Sequence, residues 1–213
     1  MEIRRYPSDL LLSNMYLIVE DDAALVIDPS RDTAPGKGLT IDRIILTHEH
    51  YDHISGVNAW KAATGAKMLC SYACGENVKN PRKNLARIFD AFCQLQTWIQ
   101  LDHLPDADSD YTCTADETFS DCAKFKWRGH LLSLMEIPGH SRGSIGILLD
   151  EEFFFSGDSL MANSDVELRF PGGSKKLWEA VGAPRIGKLA DGIRVFPGHF
   201  GDFIYHNEKG GCL

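Results

Sequence analysis

The sequence has no apolar run approaching the roughly 18–20 residues that a membrane-crossing helix requires, so no membrane partner is expected. It has no basic run either. Lys and Arg total 22 against 30 Asp and Glu, a formal net charge of -8, and that argues against a protein that grips nucleic-acid phosphates. The N-terminus, Met1-Glu2-Ile3-Arg4-Arg5-Tyr6-Pro7, has no apolar core of the signal-peptide kind, and Leu10-Leu11-Leu12 is too short to supply one. The six cysteines, at 70, 74, 93, 113, 122 and 212, form no Cys-x-x-Cys pair. Without a secretory context they read as reduced thiols of a cytoplasmic protein. A zinc knot from Cys70, Cys74, Cys113 and Cys122 would need irregular spacing and is the minor reading. There is no solenoid-period repeat and no low-complexity tract. What remains is an ordinary globular balance, 44% hydrophobic and 24% charged over 213 residues. That is enough for a core without disulfides, and for one domain spanning 1–213. The acidic balance suits a protein that handles small molecules.

The pattern along the chain alternates strands with helices. Residues 14–20 and 24–28 read as a hairpin across Asp21-Asp22. Residues 41–46 are a third strand, a helix runs to about 64 with Gly65 as its stop, and 67–70 form the next strand, a βαβ-type order. Asn80-Pro81 opens a predicted helix, with Leu85, Ile88, Phe89, Phe92, Leu95 and Ile99 at spacings of three and four, ending near Trp98. This stripe is expected to pack on the core. The alternative is a lid or wall over a site, lined by Phe89, Phe92 and Trp98. Residues 102–116 are polar and acidic and read as a loop. Period-two patterning returns over 117–137, a hairpin follows over 144–155, a helix over 175–190 and a last strand over 192–196.

One stretch dominates the chemistry, Thr47-His48-Glu49-His50-Tyr51-Asp52-His53, directly after the apolar Ile44-Ile45-Leu46. Three imidazoles and two carboxylates in seven residues are costly to bury unless something pairs them, and a divalent metal does so. His48 and His50 share one direction at a strand end, because side chains alternate with period two. Asp52 and His53 follow where the chain turns, toward a second position. Three further strands end on ligand-type residues: Ile137-Pro138-Gly139-His140, Phe155-Ser156-Gly157-Asp158 and Phe196-Pro197-Gly198-His199. Glycine at each of these ends allows a sharp turn. Together they supply His48, His50, Asp52, His53, His140, Asp158 and His199, a set sufficient for two metals with three terminal ligands each and one bridging carboxylate. His103, His130 and His206 lack this context and read as ordinary surface residues.

With these motifs the chain resembles the metallo-β-lactamase superfamily, and within it the glyoxalase-II-like hydrolases. The resemblance covers most of the chain, from the first hairpin to His199. It implies an αββα sandwich of α/β class, two mixed sheets with helices outside and the metals at one edge. It implies that His48, His50 and His140 hold the first metal, that Asp52, His53 and His199 hold the second, and that Asp158 bridges them. Two zinc ions would activate water for attack on a small ester or thioester, with Asp52 placed to orient that water. Glu49 and Tyr51, between ligands, are expected to point away.

Glyoxalase II enzymes add a C-terminal helical domain that helps bind glutathione, and this sequence has no counterpart after His199, so lactoylglutathione is not the expected substrate. Arg169, beside the Pro171-Gly172-Gly173 turn, is the candidate anchor for a substrate carboxylate. Two other readings stay open. One is a mononuclear iron enzyme that oxidises sulfur in a persulfide, on part of the same ligand set, so Fe2+ or mixed metals are the alternative to zinc. The other is a metal-binding protein without turnover. Oligomeric state is left open.

Overall fold

The computed structural model describes residues 1–95 and 106–207. Trp98, His103 and Cys212, and the end of the helix expected near Trp98, lie outside them. Among the described residues, twelve strands form two mixed six-stranded sheets. The first holds β1 (Glu2–Pro7), β2 (Asn14–Glu20), β3 (Ala23–Ile27), β4 (Thr40–Ile45), β5 (Lys67–Ser71) and β6 (Glu117–Phe119) in chain order. The second holds β7 (Cys122–Trp127), β8 (His130–Glu136), β9 (Ile145–Leu149), β10 (Phe153–Gly157), β11 (Arg194–Pro197) and β12 (Phe203–Ile204), also in order. β3, β4, β5 and β6 run parallel, as do β10 and β11, and the other pairs are antiparallel.

Alternation along the strands decides the layering. In β2, Tyr16 and Ile18 face the second sheet, while Met15, Leu17 and Val19 face outward. In β3, Ala23, Leu25 and Ile27 face inward, and Ala24 and Val26 outward. The outward set packs under α1 (Tyr51–Ile54), α2 (Val57–Thr64), α3 (Tyr72–Asn77) and α4 (Phe89–Leu95). On the far side, Phe154 and Val195 pack against Ile186, Leu189 and Ile193 near α5 (Lys175–Leu177) and α6 (Ala183–Ile186). Two inner faces and two helix-covered outer faces make the expected αββα sandwich.

Several element boundaries differ from the sequence expectation. The first helix starts at Tyr51, inside the histidine motif, and breaks before Val57. The break lies where Gly56 meets the Ser30 carbonyl so closely that a Cβ would sit 1.9 Å from it. The expected helix from Asn80 begins only at Phe89. Residues before it turn instead, with Leu85 at φ +67°, because the side chains of Asn80 and Asn84 bond the backbone that a helix would use. Phe89 then packs in the outer core, and also lines the cavity described below. The single helix expected over 175–190 is α5, a π turn over Trp178–Gly182 and α6. Pro184, with no N–H to continue the ladder, sits in the first turn of α6. β1 and β12, both edge strands, had no clear apolar alternation to announce them. The zinc-knot reading fails: Cys70, Cys74 and Cys113 are buried in the outer core, and Cys122 is exposed on the other sheet.

Phe155 is fully buried between the sheets, stacked on Phe196 at 5.1 Å and edge-on to Tyr16 at 5.3 Å. Phe155→Ala is expected to lower unfolding stability by about 3–5 kcal/mol in urea denaturation. A loss near zero would mean that the inner core is not what holds the sheets together.

Candidate metal centre

All four donor-bearing segments start at carboxyl ends of strands along one edge of the sandwich. β4 leads into the histidine motif, β8 into His140, β10 into Asp158 and β11 into His199. The two sheets are tied there by the Ile145 amide, which donates to the Thr47 carbonyl at 2.8 Å. His50 keeps extended backbone, φ -66° and ψ 144°, at the start of α1, and Asp52 and His53 ride on that helical turn. This is the physical reason why the motif serves two positions: a strand end presents His48 and His50, and a helix start presents Asp52 and His53.

The structure brings all seven sequence-predicted donors together, each buried. His140 Nε2 is 3.0 Å from His50 Nδ1, and His53 Nε2 is 3.4 Å from His199 Nε2. Asp52 Oδ2 lies 3.5 Å from His53 Nε2 and 3.3 Å from His199 Nε2. Asp158 stands between the groups, with Oδ1 3.5 Å from His53 Nε2 and Oδ2 3.5 Å from both His140 Nε2 and His199 Nε2. Donor atoms of His48, His50 and His140 lie within 4.8 Å of one another, and so do those of Asp52, His53 and His199. Ligands at roughly 2.0–2.1 Å around a tetrahedral zinc are spaced by about 3.3–3.4 Å, which matches these separations. Nε2 of His48 and Oδ1 of Asp158 are buried without a hydrogen-bond partner, while His50 turns Nδ1 toward His140. Orphaned acceptor-type atoms in a cluster of donors fit a divalent cation.

The rings are held from behind. His140 Nδ1 donates to the Glu167 carbonyl at 2.9 Å and His199 Nδ1 to the Leu11 carbonyl at 3.1 Å. A carbonyl oxygen only accepts, so these bonds fix the tautomer and leave Nε2 for the cluster. Asp28, which the sequence reading passed over as a strand end, proves central. Its carboxylate accepts from the Thr47 amide at 2.7 Å, the Thr47 hydroxyl at 2.6 Å and His53 Nδ1 at 3.0 Å. Having donated to Asp28, the Thr47 hydroxyl accepts from His48 Nδ1 at 3.0 Å. One buried carboxylate thus orients two of the donor rings. A third grouping of donors, Asp28 with His48 and His53, is explained by these hydrogen bonds rather than by an ion. In sequence Asp28 is one acid closing a fully apolar strand, and nothing local sets it apart from a turn residue. As expected, Glu49 and Tyr51 point away: Glu49 accepts from Ser141 at 2.8 Å and Asn77 at 2.7 Å, and Tyr51 packs in the outer core.

Charge divides the histidines. Burial, reinforced by neighbouring histidines, pushes His50 down to about 3 and His48 well below its ordinary value, so both rings are neutral. Burial also disfavours charge on His53 and His199, but Asp52 and Asp158 outweigh it and hold them up at about 9 and about 10. Burial opposes ionisation of Asp158 and Asp52 too, and the facing His199 and His53 overcome it, so both carboxylates sit below their usual range.

Space rather than torsion explains two of the three glycines. A Cβ on Gly198 would lie 2.0 Å from Asp158 Oδ1, and one on Gly139 would lie 2.7 Å from the Trp178 ring; only Gly157 has positive φ, at +50°. Over the donors opens a cavity of about 430 Å³. Phe89 and Phe92 line it, joined by Phe170, which the motifs do not single out. Phe170 lies edge-on to Phe92 at 4.6 Å and to His140 at 6.0 Å. Arg169 does not line this cavity. Its guanidinium grips Glu167 and its side chain is 88% exposed. His130 pairs with Asp150 and His206 with Asp191, both away from the site.

Asp28→Asn offers one acceptor oxygen where three donors converge. Zinc affinity, measured by competition with a chromophoric chelator, is expected to fall about 10–100-fold while the fold is retained. Unchanged affinity would remove Asp28 from the account.

The profile described as the metallo-beta-lactamase superfamily matches residues 8–199. A hydroxyacylglutathione hydrolase of Polaromonas sp. is 27% identical over 203 residues, covering 91% of this chain and 64% of that protein. The chain spans 34–64% of the length of the first curated relatives that it matches. Among solved structures, the BLEG-1 B3 metallo-beta-lactamase superposes with a TM-score of 0.78 at 23% identity, over 95% of this chain and 94% of that one. TTHA1623 in a di-iron-bound form superposes with a TM-score of 0.67 at 23% identity, over 91% and 90%. Fold, sequence profile and the clustered donors agree, and this chain belongs to the metallo-beta-lactamase superfamily.

Proposed function

We propose that this protein is a metal-dependent hydrolase that opens a small ester or thioester at a dinuclear centre. The observation that carries the reading is the pair of three-donor groups, with Asp158 between them, at the floor of an open cavity. His48, His50 and His140 would hold one cation, Asp52, His53 and His199 the other, and Asp158 would be shared. Two zinc ions held there supply Lewis-acid polarisation of a carbonyl and water acidified to a pKa of about 7. The chain does the rest. Asp28 and the carbonyls of Leu11 and Glu167 fix the histidine rings in advance, so little reorganisation accompanies reaction. Asp52 lines the cavity floor and is placed to accept a proton-side hydrogen bond from an attacking water, orienting it. Phe89, Phe92 and Phe170 line the approach to the reacting carbonyl. The thioester class is supported by the relative named hydroxyacylglutathione hydrolase.

A second reading has the same donors hold iron, a metal that the di-iron-bound neighbour carries on this fold; a single iron there would serve oxidation of persulfide sulfur. A purely metal-holding role is less well supported, because the complete donor set opens onto a cavity.

Protein purified without chelators is expected to carry about two zinc ions per chain and to hydrolyse members of an ester and thioester panel. Asp158→Ala is expected to lose roughly half its metal and to slow turnover about 100-fold. Full metal and full rate in that variant would contradict the shared-carboxylate assignment. One iron per chain with persulfide-dependent oxygen uptake would favour the second reading.

A further inference from the structure

The walls of the cavity speak to what enters it. Beyond the donors, its surface is formed largely by Leu11, Leu85, Phe89, Phe92, Phe170 and Phe200. Phe89 and Phe92 stack at 6.3 Å, and Phe92 meets Phe170 at 4.6 Å, so an aromatic wall rises from the His140 ring to the mouth. The ionised groups on this wall are acids. Asp165 and Glu167 line the cavity alongside Asn163 and Ser164. Among the described residues, no Lys or Arg lines it; of the residues outside the description, 96–105 contain neither and 208–213 contain Lys209. Two arginines touch lining residues from outside: Arg169 grips Glu167, and Arg5 donates to the Phe200 carbonyl.

A carboxylate drawn into such a space away from the donor cluster would be desolvated with the neutral Asn163 and Ser164 side chains, and no lining Lys or Arg among the described residues, to receive it. Like charge from Asp165 would add to that penalty. An alkyl chain or aryl ring would instead exchange water for aromatic contact. A cavity of about 430 Å³ is of the size that takes a small organic molecule and is lined as such sites usually are, mostly apolar with few polar groups.

We propose that this cavity selects a substrate whose portions flanking the reacting carbonyl are uncharged and apolar, an alkyl or aryl ester or thioester, and discriminates against carboxylate-bearing thiols such as glutathione. The inference takes its reaction from the hydrolytic reading above, but its selectivity resides in the walls and is measured without turnover. Phe170 is the specificity-determining residue, because it connects the donor cluster to the aromatic wall.

The test compares two non-hydrolysable thioethers sharing one alkyl group, S-hexyl-N-acetylcysteamine, which is neutral, and S-hexylglutathione, which has two carboxylates. Binding to the zinc-loaded protein is measured by calorimetry. The neutral thioether is expected to bind at least tenfold more tightly. Phe170→Arg, which places a cation on the wall, is expected to narrow that ratio by at least fivefold, with zinc content confirming that the site persists. Equal or tighter binding of the glutathione conjugate by the wild-type protein would overturn the inference, and so would no binding of the neutral thioether. Either result is obtained whether or not the protein hydrolyses anything, so this inference and the hydrolase reading fail separately.

Discussion

Five imidazoles and two carboxylates are buried within a few ångströms of one another at one edge of this sandwich, and such a cluster is tolerable only if its charges are balanced from within. Protons do this on His53 and His199, whose affinity for them is raised by Asp52 and Asp158. A divalent cation does it better, because it satisfies several lone pairs at once. The fold is arranged to keep the donors in place. Four strands end on the same edge, the Thr47 carbonyl ties one sheet to the other, and Gly198 is bare because any side chain would strike Asp158.

Rigidity at the cluster comes from the layer behind it. Asp28 holds Thr47 and His53, Thr47 passes that restraint to His48, and backbone carbonyls hold His140 and His199. Glu49 joins the histidine motif to Ser141, next to His140, and to Asn77 on α3. Positions between ligands therefore have work of their own: they lock the ligand segments to each other. The cavity walls are drawn from α4, Leu11 and the loop bearing Phe170, and the last two also supply the carbonyls that hold His199 and His140. The donors themselves and the aromatic wall are nonetheless different residues, and the proposed chemistry rests on the first and the proposed selectivity on the second.

Legibility in the sequence follows the same division. The donors were readable because metal-ligand chemistry permits few residue types, and because strand alternation and strand endings recur in a fixed pattern. The αββα layering was implied by the resemblance those motifs support, and β2 and β3 then sort their side chains as alternation dictates. Asp28 was not read, since one acid after an apolar strand is indistinguishable from a turn residue until Thr47 and His53 come back to meet it. Phe170 was hidden for a similar reason: its partners, Phe92 and His140, are distant in sequence. The late start of α4 was missed because apolar spacing cannot report that Asn80 and Asn84 claim the local backbone. Arg169 was singled out for its charge, yet Glu167, two residues away, takes it out of the cavity.

The claim at the centre of this account is that the cluster is one site for two cations sharing Asp158. Calorimetric titration of zinc into chelator-stripped protein tests it most directly. The account predicts two equivalents bound by the intact chain, and no more than one high-affinity equivalent once Asp158 is replaced by Ala. Binding of a single equivalent to the intact chain, or none, would contradict it.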